Sequence, residues 1–409
     1  MTLRQSKSKL SIVFVGGWAP DKILDKYHVP HGPLGYFIEN MIGGIETNLR
    51  RPLYVLSAPL WGSYPKFRKI IFRGETFSRK GGGKVKIVPS INILIIKQIT
   101  VFLSLLFSLI LWGYKTKIVD KRIIYTYNLY SSHTLAVLIA SRLINAKSVI
   151  MLADLPYNPQ VKMSHIRSFL LSIEHFLEFQ WIQKFDGVIA LTKFIITDYV
   201  REIPSIIIEG GVNNTNQDKQ NSYEKIKKNN HQKIVMYSGG ITKINGIELL
   251  LEAFMKITSD NFRLHIYGFG EGVNIVREAI DLDERIIYGG WKSNNIIKQL
   301  QKEALVLVNT RSSKYTHTRY SFPSKLIEYM SSGTPVITTV LAGIPEEYYP
   351  YLFLLREETS DALAELLNRI GTMKPDCLRD FGKRAKEFVV QNKNWAFQGK
   401  RIVDFFLSF

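Results

Sequence analysis

The chain has 409 residues, 46% of them apolar, and carries 54 Lys and Arg against 35 Asp and Glu, a formal charge of +19. That apolar share can fill the cores of two or three domains. The single cysteine, Cys377, excludes a disulfide framework and any cysteine-based zinc site.

The charge is unevenly spread: residues 1–205 hold 27 basic against 12 acidic side chains, and residues 206–409 hold 27 against 23. A basic half points to an anionic partner, either a membrane surface or nucleic acid, unless a lysine-rich composition alone inflates it. The polar start, MTLRQSKSKL, leads straight into a strand without a secretory signal, so a cytoplasmic location is expected.

In chain order, a buried-type strand at Ile12–Val15 ends in Gly16-Gly17, a pair that commonly lets a ligand approach the backbone. A polar loop from Pro20 to Pro33 precedes a short helix, Leu34–Met41, and Gly43-Gly44 reads as its stop. Strand Pro52–Leu56 follows. A basic cluster then gathers Lys66, Arg68, Lys69, Arg73, Arg79, Lys80, Lys84 and Lys86 around Glu75, with a flexible tip at Gly81–Gly83. Directly after it, Ile99–Gly113 has no charge, and Thr100, Ser104 and Ser108 form a narrow small-polar stripe on an otherwise apolar helix. A buried domain helix, an in-plane membrane helix and a spanning helix all remain open there. The stretch is short of the roughly 20 residues a bilayer crossing needs.

Strands and helices then alternate: Arg122–Tyr127, Ser132–Leu143, Ser148–Leu152 ending at Asp154, Ile166–Lys184, Gly187–Leu191, Lys193–Glu202 and Ser205–Ile208. Residues 213–233 are polar and read as a linker. A second alternating run begins with strand Ile234–Ser238, which ends in Gly239-Gly240, and continues to a helical tail, Asp361–Phe409. Two such runs argue for an α/β chain of two Rossmann-like, doubly wound parallel-sheet domains facing across a cleft.

Residues 309–339, NTRSSKYTHTRYSFPSKLIEYMSSGTPVITT, join a strand to a loop bearing Arg311, Lys314, His317 and Arg319. A helix from Ser324 to Ser332 follows, opened by Pro323 and closed by Gly333. Lys325 and Glu328, three apart, share one face of it. A cation, a carboxylate and a helix N-terminus at the C-terminal edge of a strand suit a phosphate-bearing ligand, though an ordinary strand–helix unit with a solvated ion pair has the same spacing.

Three segments carry a family resemblance: YSGGITKINGIELLLEAF (237–254), LHIYGFGEG (264–272), and YSFPSKLIEYMSSGTPVITT with AGIPEEYY (320–339 and 342–349). They resemble the C-terminal domain of the bacterial family-4 glycosyltransferases, retaining enzymes with two Rossmann-like domains (the GT-B fold) of the kind that build surface polysaccharides. The N-terminal half matches in outline. The resemblance implies sugar transfer from a nucleotide-diphosphate donor with no metal and no cofactor. Residues 1–208 would then bind the acceptor and 209–390 the nucleotide-sugar, with 391–409 a helix packing back toward the N-terminal domain.

Carried onto this sequence, the resemblance assigns Glu328 to the ribose hydroxyls. It places Lys325 and the amides around Ser321 and Phe322, with the helix start at Pro323 and Ser324, near the diphosphate and sugar, and Gly239 and Gly240, with Gly16 and Gly17, where the backbone meets the donor. The pattern departs in four places. A glutamate usual eight residues before the ribose glutamate is Tyr320, and the cations usual at two glycine-flanked positions are replaced by Gly240 and Asn245. A departing diphosphate still needs compensation, which leaves Lys325, Arg311, Arg319 and Lys243 as candidates. The histidine usual at the N-terminal domain's central strand end is Ala153, so Asp154 becomes the candidate acceptor contact or base, with a turn residue as the plain alternative.

Asp281-Leu282-Asp283 is formally a DxD but precedes a strand, at the wrong sheet edge for a metal site, and His133 is a helix-start histidine near a strand end. The expected partners are a nucleotide-sugar, a lipid-linked saccharide acceptor and an anionic membrane surface met by Lys66–Lys86 and Ile99–Gly113, with no nucleic acid. The chain would sit peripherally on the inner face of the cytoplasmic membrane. A nucleotide-sugar 2-epimerase of the same fold, or a basic nucleic-acid-binding protein, are the rival readings.

Overall fold

The computed structural model describes residues 10–27, 33–79, 82–155, 173, 176–213 and 232–409. Most of the expected linker at 213–233 and of the expected helix at 166–184, part of the loop at 20–33, Lys80 and Gly81 lie outside the described residues. The chain divides into two units, residues 1–209 with 395–409, and 210–394.

In the first unit, strands β1 (Leu10–Gly16), β2 (Tyr54–Ser57), β5 (Lys84–Ile87), β7 (Lys121–Tyr127), β8 (Lys147–Leu152), β9 (Gly187–Ala190) and β10 (Ser205–Ile207) are parallel. β4 (Glu75–Ser78) pairs antiparallel with β5 at one edge, giving the order β10-β9-β8-β7-β1-β2-β5-β4. β3 (Ile71–Phe72) and β6 (Ser90–Ile91) form a separate ribbon. Burial on both faces explains the near-continuous apolar runs, such as Val13–Val15 and Val149–Leu152, all fully buried. Helices α1 (Asp21–Lys26), α2 (Pro33–Leu49), α3 (Leu94–Lys115), α4 (Ser131–Leu143) and α5 (Lys193–Tyr199) connect these strands.

Helix α2 corrects the sequence reading at Gly43-Gly44: the helix runs through the pair to Leu49. The reason is tertiary. The helix Trp395–Leu407 packs on α2, and a Cβ on Gly44 would lie 2.0 Å from the Trp395 carbonyl oxygen, while Asn48 Nδ2 donates to the Ala396 carbonyl at 2.8 Å. Gly399 meets the Gly44 backbone just as closely. The backbones touch because neither helix has a side chain at the crossing. Gly44→Ala should therefore destabilise this unit by roughly 1–3 kcal/mol. Gly43→Ala, where a Cβ meets nothing within 4 Å, should gain roughly 0.5–1 kcal/mol as a helix-interior replacement. Thermal unfolding of the two variants checks this, and equal melting temperatures would contradict the crossing.

Helix α3 is longer than the uncharged stretch suggested, 22 residues, and by length and composition it could cross a membrane. One face is built into the unit, through Val101, Leu105, Leu109 and Trp112. The small-polar stripe ties the same helix to neighbouring backbone: Thr100 Oγ1 accepts from the Ile91 N–H at 3.1 Å and Ser104 Oγ donates to the Pro89 carbonyl at 2.8 Å. The helix is thus neither wholly buried nor free on all sides.

The second unit is a six-stranded parallel sheet in the order β13-β12-β11-β14-β15-β16. Its strands are β11 (Lys233–Gly240), β12 (Phe262–Phe269), β13 (Ile286–Gly290), β14 (Val306–Asn309), β15 (Val336–Thr339) and β16 (Phe353–Leu355). The helices are α6 (Ile247–Met255), α7 (Val273–Leu282), α8 (Asn294–Glu303), α9 (Ser324–Ser332), α10 (Ser360–Thr372) and α11 (Pro375–Asn392). One core joins Val235, Leu264 and Val308 to Leu250, Phe254 and Leu367, and a second joins Met236 and Leu307 to Leu326, Met330 and Val389. The final helix, α12 (Trp395–Leu407), belongs to the first unit.

Candidate functional site

At the C-terminal end of β11 the chain reads Tyr237-Ser238-Gly239-Gly240, and α9 is clamped against it by two side chains one turn apart. Lys325 Nζ donates to the Ser238 carbonyl. Tyr329 Oη donates to the same carbonyl at 2.8 Å and accepts from the Ser238 N–H at 2.8 Å. The ammonium lies over Gly239, where a Cβ would fall 2.3 Å from Nζ, so this position has to be glycine while Lys325 holds its place. Burial pushes the Lys325 ammonium below the ordinary lysine value of 10.5, with the Glu328 carboxylate partly restoring it. A desolvated cation held by a neutral carbonyl is poised to gain from an arriving anion.

Glu328, on the same helix face, accepts a 2.8 Å hydrogen bond from Gln301 Nε2. Gln301 is fully buried at the end of α8, and its backbone carbonyl accepts from Thr334 Oγ1 at 2.7 Å. The carboxylate is therefore oriented by a neutral donor, which keeps its charge available to a hydroxyl-bearing ligand. Sequence reasoning assigned no role to Gln301, Ser238 or Tyr329. The signal for Gln301 was present: it shares the apolar face of α8 with Ile297, a core position where a polar side chain must have a partner. Tyr329 follows Lys325 by four residues, the spacing that puts both on one side of a helix.

The two positions where cations were missing are filled by neutral hydrogen bonds. Asn245 Nδ2 and Tyr237 Oη both donate to the Gly240 carbonyl, at 2.8 and 2.6 Å. Burial raises the Tyr237 phenol, and the charge of Arg311 opposes the rise. His317 is lowered first by burial and then by the same guanidinium. Arg311 therefore projects its field onto both the β11 end and the loop before α9. Of the other two candidate cations, Arg319 is exposed and Lys243 is exposed beside Glu248 at 3.7 Å. Gly246, at φ +70°, lets the start of α6 approach Thr310, whose carbonyl would lie 1.9 Å from a Cβ there.

The turn before α9 is fixed by packing. Ser321 Oγ donates to the His317 carbonyl at 3.2 Å, and Gly343 leaves room for the Ser321 carbonyl. Phe322 is buried against Tyr348, Pro323 precedes the first helical residue, and Ser324 is exposed at the helix start.

The remaining candidates belong to the other unit. Gly16 and Gly17 end β1, but the close approach their lack of side chains allows is used by the chain itself. A Cβ on Gly17 would lie 2.4 Å from Leu60 Cγ, and the Gly17 carbonyl accepts from the Leu60 N–H at 3.1 Å. Asp154 is exposed just past β8, where Asn128 Oδ1 accepts from the Ala153 and Asp154 N–H groups and Asn128 Nδ2 donates to Asp154 Oδ2 at 3.3 Å. It is a held turn residue with its carboxylate at the sheet's C-terminal edge. His133 is buried, hydrogen-bonded to the Ala58 carbonyl, and pushed down to about 4 by that burial, so it is neutral at neutral pH. Asp283 is engaged by Arg285 through three hydrogen bonds of 2.7, 2.9 and 3.0 Å.

Comparison with known proteins bears on the family and the fold. Residues 218–388 match the family model described as Glycosyl transferases group 1. The putative colanic acid biosynthesis glycosyltransferase WcaL of Salmonella typhimurium is 29% identical over 161 residues, 38% of this chain and 40% of that protein. The chain thus spans about two fifths of the length of the curated relatives it matches. HepE of Anabaena, solved with UDP, superposes with a TM-score of 0.65 at 15% identity over 98% of this chain and all of that one. The lipopolysaccharide outer core galactosyltransferase WaaB superposes with a TM-score of 0.63 at 16% identity, over 97% of this chain and 99% of that one. Residues 218–388 are thus similar to the glycosyl transferases group 1 family, in a chain with the GT-B fold.

Proposed function

We propose that the protein transfers a sugar from a nucleotide-diphosphate donor to a lipid-linked saccharide in bacterial surface polysaccharide synthesis, without a metal and with retention of anomeric configuration. The observation that carries this reading is the pair on α9. A desolvated Lys325 sits at the end of β11, and one turn away Glu328 is oriented by buried Gln301. When the bond between sugar and diphosphate breaks, negative charge grows on the leaving phosphate, and Lys325 with the Arg311 field would stabilise it in a low-dielectric setting. Glu328 would accept hydrogen bonds from the ribose hydroxyls and so fix the nucleotide's position. Asp154 is the candidate contact or base toward the acceptor.

The substrate class draws on relatives: WcaL is described as a colanic acid biosynthesis glycosyltransferase, and HepE has been solved with UDP-glucose. A peripheral place on the inner face of the cytoplasmic membrane, through the exposed face of α3 and exposed Lys66, Arg68, Arg73 and Lys84, accords with a lipid-linked acceptor. Arg79 leaves that basic surface: it is buried and paired to Glu39 and Glu46. The test is incubation with nucleotide-sugars, with and without a polyprenyl-diphosphate saccharide in vesicles. Transfer that requires the lipid-linked acceptor is the expected result. Epimerisation of free nucleotide-sugar without acceptor would contradict the reading.

A further inference from the structure

A pocket of about 390 Å³ lies at the N-terminal edge of the first unit's sheet, the edge away from Gly16 and Asp154. The starts of β7 and β8 and the end of α4 line it. Lys147 is spoken for, pairing with Asp186 at 2.9 Å, and Asp186 also accepts from the Ser148 N–H and Oγ. Among the described residues, four other cations in the lining make no hydrogen bond to a carboxylate. Lys121 donates to the Leu407 carbonyl, Arg122 to those of Gly113 and Asn145, and Arg142 to that of Leu138; Lys184 is exposed. Against them the lining adds one further acidic side chain, Asp120. An arriving anion would relieve the mutual repulsion of such a cluster, and a phosphate is the chemistry that suits arginines carrying open donors.

What adjoins the pocket narrows the source of that phosphate. Arg122 is bonded to the last turn of α3 through Gly113, and Gly113 meets Ile144 at the end of α4. From that corner the outward face of α3 carries Ile95, Ile99, Leu103, Phe107, Leu111 and Tyr114, every one of them exposed, Phe107 at 63%, with Ile118 just beyond at 90%. The spacing of three and four makes this a continuous apolar stripe, far from the polar exterior expected of a surface helix.

We propose that this pocket binds the phosphate of an anionic phospholipid headgroup, so that α3 lies in the plane of the bilayer surface with its outer stripe among the acyl chains. The proposal rests on the membrane-facing reading of the N-terminal unit. It adds a headgroup site that fixes the end of α3 and so sets how the unit is oriented on the lipid.

The experiment is co-sedimentation of the full chain with vesicles of phosphatidylcholine alone or mixed with phosphatidylglycerol. Arg142→Gln with Lys184→Gln should weaken partitioning to the anionic vesicles about 25-fold, each cation near an anionic leaflet being worth roughly fivefold. Lys292→Gln with Lys298→Gln, the same change of net charge on exposed residues of the other unit, should leave it nearly unchanged. Leu103→Glu should abolish binding to both vesicle types. Circular dichroism melts confirm that each variant is folded, and all substituted side chains are exposed. Equal losses from the two double variants would overturn the pocket while leaving the membrane reading in place. No vesicle binding by the unmodified chain, or self-association through the stripe in its stead, would overturn both. Inorganic phosphate saturating the pocket in solution, with vesicle binding insensitive to the Arg142 and Lys184 changes, would assign the site to a soluble ligand and overturn the lipid source.

Discussion

Replacing Lys325 with methionine is expected to lower turnover about 100- to 1,000-fold, the range seen when one donor is removed from a site of developing negative charge. Methionine keeps most of the stem's packing and removes only the ammonium. The Ser238 carbonyl keeps its hydrogen bond from Tyr329 at 2.8 Å, so α9 remains clamped to β11. The loss of stability should be about 1 kcal/mol, that of one hydrogen bond. The signature of a charge that acts on the leaving group is a fall in kcat with a smaller change in KM. A second signature is the pH profile. Burial lowers the Lys325 value below 10.5, so the charge is lost, and turnover falls, at a pH below the ordinary lysine range; the variant lacks that alkaline limb. Turnover and pH profile indistinguishable from the unmodified protein would remove Lys325 from the chemistry.

Glu328→Ala should weaken nucleotide-diphosphate binding about 10- to 100-fold, since hydrogen bonds to a charged group are worth roughly 1.5–3 kcal/mol. Glu328→Gln separates the two duties of the side chain. Its amide oxygen can still accept from Gln301, which donates to Glu328 Oε1 at 2.8 Å, while the charge is gone. The account expects the Gln variant to fold with unmodified stability and still bind more weakly. Calorimetric titration reads both. If affinity survives the Ala change, Glu328 serves α9 and Gln301 rather than a ligand.

Much of the second unit was legible because its signals are local. Strands β11 and β14 are built on the apolar runs Ile234–Tyr237 and Val306–Val308, and α9 is bracketed by Pro323 and Gly333, which at φ +85° closes the helix as glycine does. The elements that were misread depend on contacts distant in sequence. Gly43-Gly44 resembles a helix stop until Trp395 and Gly399 are seen to press on it from 350 residues away. Arg79 belonged by composition to a basic cluster, yet Glu39 and Glu46 on α2 draw it inside. The hairpin β4–β5 was overlooked, although Lys84-Val85-Lys86-Ile87 alternates, with Val85 and Ile87 buried, at the period of two that a strand shows. In the site, the charged pair was visible from spacing, whereas the groups that orient it, Ser238, Gln301 and Tyr329, are neutral and come from three elements.

The most direct test of the central claim is a titration of uridine, guanosine and thymidine diphosphates into the protein, followed by calorimetry. The account predicts saturable binding of at least one of them, weakened by Glu328→Ala and by Lys325→Met with the fold retained. Failure of all three to bind, or binding indifferent to both substitutions, would contradict it.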